Sequence, residues 1–138
     1  MKNTFLMLLL FVATITFAQK ADDIVGKYHL PNALDVEIYK VGDTYNGKII
    51  ALNNYEDGVI RDIKNSDKSK RNDLLLGKEI LTNLEFDNEG KQWVNGDMYG
   101  PGKGIMVNLK VTEIKTDEIT VVGSKYFFWR TLQWKKLK

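Results

Sequence analysis

Histidine occurs once in this chain of 138 residues, at position 29, and cysteine does not occur at all. Those two facts remove whole classes of chemistry. Structural zinc sites are built from Cys and His clusters, and a Cys–His nucleophile pair needs both residue types. His29 could serve a serine as base, but no Gly-x-Ser-x-Gly elbow presents one, and its place just before Leu30-Pro31 reads as the rim of a strand. Carboxylates are the remaining candidates among 18 acidic residues. Asp35 and Glu37, spaced by two, share a strand face, and such pairs can perform acid/base work on glycosidic bonds when held at the right separation. Their alternation with Leu34, Val36 and Ile38 turns both toward solvent. The run Gly100-Pro101-Gly102-Lys103-Gly104 lacks the spacing of a phosphate loop and precedes a strand rather than a helix, so it reads as a turn. No catalytic residue, metal site or cofactor is expected, and the chain reads as a non-enzyme.

The opening segment, residues 1–18, has the three-part layout of a secretory signal: Lys2, an apolar run from Phe5 to Val12, and Thr16-Phe17-Ala18 leading to cleavage after Ala18. A membrane anchor would need about 20 apolar residues, whereas Thr14, Thr16 and Gln19 interrupt this one and Lys20-Ala21-Asp22-Asp23 follows. Export to the periplasm, or onward out of the cell, is therefore expected, with no transmembrane anchor after cleavage. Residues 19–138 suit one domain with its own core. The formal charge of +2 is interspersed along the chain. Its most basic stretch, from Lys64 to Arg71, lies among Asp62, Asp67 and Asp73, which excludes the concentrated patch a nucleic-acid surface needs.

Apolar residues alternate with period two almost throughout. Ile105, Val107, Leu109 and Val111 share one face, and Met106, Asn108, Lys110 and Thr112 the other, the pattern of a half-buried strand. The same reading predicts strands over 24–29, 34–40, 45–52, 79–86, 92–98, 105–112, 118–123 and 127–135. Gly42-Asp43, Asn88-Glu89-Gly90, Thr116-Asp117 and Gly123-Ser124-Lys125 supply turn residues between neighbours. Sequential antiparallel strands leave exposed edges unless the first pairs with the last, so an eight-stranded up-and-down barrel is expected, with an open sandwich as the alternative. The one long connection, 53–73, should lie over one mouth of the barrel. The Leu74-Leu75-Leu76-Gly77 segment after it should form a bend that plugs an end.

Gly26-x-Tyr28 resembles the Gly-x-Trp signature of lipocalins with Tyr in place of Trp. An ordered set of residues also resembles an exported bacterial family, domain of unknown function 2147. The set is Gly26, the run from Asp62 to Asp67 with Arg71, Leu75-Leu76-Gly77, Trp93-x-x-Gly96-x-x-Tyr99-x-Pro101 with Gly104, Gly123, and Trp129-Arg130. This resemblance implies a lipocalin-like barrel and no particular activity. It singles out Asp62, Asn65, Asp67 and Arg71 as a loop motif. It also implies that Arg130 packs across the first-strand aromatic, Tyr28, closing the barrel floor by a cation–π contact. With Arg130 inward, alternation places Phe128, Leu132 and Trp134 on its face and Phe127, Trp129 and Thr131 on the other, so both faces of the last strand carry large aromatics.

An eight-stranded barrel is just wide enough to be filled by its side chains or to hold one small ligand. Gly26, Gly47, Ala51, Gly96 and Gly123 either relieve strand coiling or leave room for a guest. Tyr28, Tyr39, Tyr45 and Trp93 could line an apolar cavity with polar tips, as could Met98, Tyr99, Met106 and Trp129. Two functions follow as expectations. One is a carrier or sensor of a small apolar or amphipathic ligand; the other is a filled barrel that docks to an envelope protein, or to itself, through its outer aromatics.

Overall fold

Alternating sequence becomes eight strands in the computed structural model, which describes residues 18–138. The signal peptide expected over 1–18 lies, but for its last residue, outside the described residues. The strands are β1 (Gly26–His29), β2 (Asp35–Val41), β3 (Thr44–Ala51), β4 (Glu79–Asp87), β5 (Gln92–Gly100), β6 (Ile105–Ile114), β7 (Glu118–Lys125) and β8 (Phe128–Lys136). Each pairs antiparallel with the next, and β1 pairs with β8, so the sheet closes. The closing seam is short: Tyr28 faces Lys136 and His29 faces Lys135, with the Leu137 amide donating to the Lys27 carbonyl at 2.9 Å. Closure satisfies both edges, which is why a meander of this length does not remain an open sheet. Among the described residues, no helix is long and apolar enough to cross a membrane.

Two details depart from expectation. Gly123-Ser124-Lys125 is not a turn but the end of β7, opposite Arg130, Trp129 and Phe128. The reversal falls on Tyr126 and Phe127, with Tyr126 at φ 55°. The register is set by the interior pairs Ile119–Trp134 and Val121–Leu132, and their burial overrides the local preference for glycine in the turn. The second departure is in the leucine run. Only Leu75 is buried, while Leu74 and Leu76 are 54% and 56% exposed, so one side chain plugs rather than three.

One end of the barrel is solidly filled. Tyr28, Tyr45, Trp93 and Trp134 meet Ile38, Leu84, Val111 and Ile119 there, all buried. Gly96 makes this packing possible, because a Cβ on it would lie 2.9 Å from Leu84 Cδ1 and 3.1 Å from the Leu109 carbonyl oxygen. Leu81 and Leu84 are both buried although three residues apart, because Asn83 takes a left-handed φ of 61° between them and shifts the parity of β4. A 3₁₀ turn over Ala21–Ile24 lies across this end. Ile24 is buried beneath it, the Tyr28 hydroxyl donates to the Ile24 carbonyl at 2.7 Å, and Trp93 Nε1 donates to the Ala21 carbonyl at 2.9 Å.

The Tyr45 hydroxyl completes the closure by donating to Asp22 Oδ1 at 2.5 Å. That bond, and then the Lys40 ammonium, hold the Asp22 carboxyl below its ordinary value, whereas burial and then Asp22 push the Tyr45 phenol up. A depressed carboxylate stabilises the fold above its unfolded pKa and loses that contribution as pH falls through its folded one. Wild type should therefore lose more thermal stability than Asp22→Asn between about pH 5 and pH 2. Parallel Tm-versus-pH curves for the two proteins would remove Asp22 from the account.

At the other end the long connection, with 3₁₀ turns at Tyr55–Asp57 and Lys68–Lys70, folds on itself through an isolated bridge between Arg61 and Leu74. It packs at the mouth, where Tyr55 and Glu56 line the opening, with Tyr99 of β5 bonded to Asp62 and the Lys64 carbonyl pressed onto Gly104 in the β5–β6 turn.

Candidate functional site

Where the interior is not filled, at the end opposite the 3₁₀ turn over Ala21–Ile24, the barrel holds a cavity of about 340 Å³. Its walls are the inward residues of β5 to β8: Met98, Val107, Leu109, Val121, Gly123, Leu132 and Trp134, with Leu30, Pro31 and Asn32 of the β1–β2 loop at the entrance. Arg130 is the one charged residue in this lining. It shares its face with Leu132 and Trp134, the parity expected for an inward Arg130, although so near the rim it stays exposed. The space continues outward past Lys103, Phe128 and Trp129, and past Tyr55 and Glu56.

The glycines divide by role. Gly96 is walled in, and a Cβ on Gly47 would come 3.1 Å from Leu81 Cβ. A Cβ on Gly123 would find only Val107 Cγ2, at 3.9 Å, so this glycine leaves a side of the cavity open. The filled-barrel expectation thus holds for one half of the interior and not for the other.

Of the residues expected to line a cavity, only Met98 lines this one. Tyr28, Tyr45 and Trp93 face inward but belong to the packed end, and Tyr28 stacks obliquely on Trp134 with ring centroids 6.5 Å apart. Its burial raises the phenol to about 12. Tyr39, Tyr99, Met106 and Trp129 lie on the outer face. Tyr39 donates to Glu79 with Lys48 over its ring at 5.3 Å; that bond, ahead of burial, raises it to about 12. The proposed contact between Tyr28 and Arg130 is not formed. Tyr28 pairs with Lys136, whereas Arg130 pairs with Gly123 near the other end of β8, and six residues of strand span about 20 Å. The aliphatic wall includes Val107 and Leu109, which share the alternating face that the sequence shows over Ile105–Val111. Asp35 and Glu37 lie on the outer side as expected, Asp35 bonded to His29 Nδ1 at 2.5 Å and Glu37 3.7 Å from Lys48 Nζ.

The loop motif is brought together, as a framework. Asp62 is buried, accepting from the Tyr99 hydroxyl and from Asn65 Nδ2, both at 2.7 Å, with Lys78 Nζ at 3.4 Å. Asn65 Oδ1 accepts the Asp67 amide at 2.9 Å, Arg71 Nε donates to the Asn65 carbonyl at 2.8 Å, and Asp67 caps the following turn through Ser69. Those Ser69 bonds hold the Asp67 carboxyl low. Burial first, and then Asp62, push the Tyr99 phenol up, so it remains the donor. These bonds tie the motif together and order the loop, with Asp62 and Asn65 buried and Asp67 and Arg71 exposed at its surface.

A family model described as "Uncharacterized protein conserved in bacteria (DUF2147)" matches residues 26–136. The chain belongs to this family. Its barrel is also similar to a solved structure titled "Protein HP1028 from the human pathogen Helicobacter pylori belongs to the lipocalin family", with a TM-score of 0.72 at 18% identity over 83% of each chain. At that identity the likeness is one of fold, and it agrees with the lipocalin-like barrel that the family motifs imply. No curated protein matches the sequence. Within the family's span lie both the cavity at Gly123 and the loop framework at Asp62.

Proposed function

We propose that this member of the family is an exported carrier or sensor that takes the apolar part of a small amphipathic molecule into the mouth of its barrel and holds an anionic group at Arg130. The observation that carries this reading is the cavity itself: aliphatic walls, one guanidinium at the rim, and an opening left by Gly123. Its volume lies within the range of small-molecule sites, which begins at about 300 Å³, and apolar walls with few polar groups are their usual composition. A guanidinium in a lining without carboxylates favours a carboxylate or phosphate headgroup, which it can grip through two parallel bonds.

Titration with a medium-chain alkyl carboxylate and its matched alcohol, read by calorimetry, tests the proposal. Gly123→Leu should fill the cavity and weaken both by at least about tenfold, equivalent to about 1.4 kcal/mol. Arg130→Gln should weaken the carboxylate alone. Wild-type protein that binds neither compound, and carries no small molecule by native mass spectrometry when taken from its own envelope fraction, would reject the carrier reading.

A further inference from the structure

We propose that the β7–β8 tip inserts into an anionic lipid bilayer surface and moors the barrel there, mouth toward the membrane. Four consecutive aromatics occupy the tip, Tyr126, Phe127, Phe128 and Trp129, and they are 88%, 90%, 79% and 75% exposed. A run of bare aromatics this long is the kind of patch that marks an interaction site. The tip's shape and charge together say what covers it.

Tyr126 and Phe127 form the turn, and alternation sends Phe128 and Trp129 to opposite faces of the hairpin. The aromatics therefore radiate around a projecting point. A rigid protein surface meets one side of such a point, whereas a fluid bilayer closes around all of it. Tryptophan and tyrosine are also the side chains that settle at the headgroup level of membranes, with their apolar bodies inward and polar tips in water. The charge beside the tip is one-sided: from Ile119 to Trp134 there is no acidic residue, and two are basic. Lys125 and Arg130 flank the aromatics, and Lys103 lies across the space lined by Phe128 and Trp129. Basic groups beside an inserting segment gain from the negative surface potential of anionic lipid. Insertion stands on the tip alone, whether or not the cavity holds a ligand.

The test uses purified protein with vesicles of phosphatidylcholine alone or mixed with phosphatidylglycerol. Trp93 and Trp134 are buried, so a change in tryptophan emission on adding vesicles reports Trp129. The expected result is pelleting with the anionic vesicles, a blue shift of Trp129 emission, quenching by brominated lipid, and loss of binding at high salt. The double variant Phe127→Ser/Phe128→Ser, at exposed positions, should keep the wild-type Tm and bind at least about tenfold more weakly. Absence of pelleting and of any blue shift would overturn the proposal, as would vesicle binding that survives the double substitution. A blue shift that grows with protein concentration in the absence of lipid would overturn it in favour of a second copy of the chain.

Discussion

Gly104→Ala is expected to release the long loop from the barrel and to cost about 2–4 kcal/mol, the sum of a side chain forced to a positive φ and an overpacked contact. Gly104 sits at φ 66°, and a Cβ there would run into the Lys64 carbonyl, with its carbon 2.8 Å away. The obstacle is backbone, so no side-chain rotation relieves it. Either the β5–β6 turn or the loop must move, and the loop is tied through Asp62, which is buried and bonded to Tyr99, Asn65 and Lys78. Displacing Lys64 by an ångström strains the Asn65 and Asp62 bonds together, since they are three residues or fewer away. The consequence is legible to trypsin, because Lys64, Lys68, Lys70 and Arg71 all lie in the segment that would be freed. Wild type should resist cleavage there, and Gly104→Ala should be nicked within the loop while the barrel persists. Equal resistance of the two proteins would mean the loop is held by something other than this close approach.

Trp93→Ala is expected to be the most destabilising single truncation, at about 3–5 kcal/mol in urea or thermal unfolding. Trp93 is wholly buried, packs on Phe86 at 5.0 Å between ring centroids, and donates Nε1 to the Ala21 carbonyl at 2.9 Å. Removing it empties the filled end and releases the 3₁₀ turn that closes it. Trp93→Phe separates the two effects: it keeps much of the volume, loses the hydrogen bond, and should cost about 1–2 kcal/mol. A loss of less than about 1 kcal/mol for the alanine variant would show that this end can collapse to fill the space.

Much of the barrel was legible because its signals are local. The face formed by Val107, Leu109 and Val111 reads as a strand from spacing alone, and Gly42-Asp43 reads as the reversal it is. The site was less legible. Tyr39, Tyr99, Met106 and Trp129 carry the chemistry of a pocket lining but face outward, and which face is inward depends on register. Register changes at irregularities such as Asn83 and Asn95, both at left-handed φ, and alternation counted along the chain cannot carry across them. Tyr28 and Arg130 failed to meet for a related reason. Both lie on the strands of the closing seam, but the seam joins Tyr28 to the far end of β8.

The amino-acid sequence by itself determined the strands, their order and the family, since alternation, turn chemistry and motif residues are properties of neighbours along the chain. The family resemblance also marked Asp62, Asn65, Asp67 and Arg71 as one motif. Only the tertiary structure decided what the glycines do. Gly96 and Gly123 are each a glycine within a strand, yet Leu84 and the Leu109 carbonyl crowd one while the other faces open space. The difference lies in atoms from other strands, brought within ångströms by closure of the barrel, and it separates the packed end from the mouth where a ligand would sit.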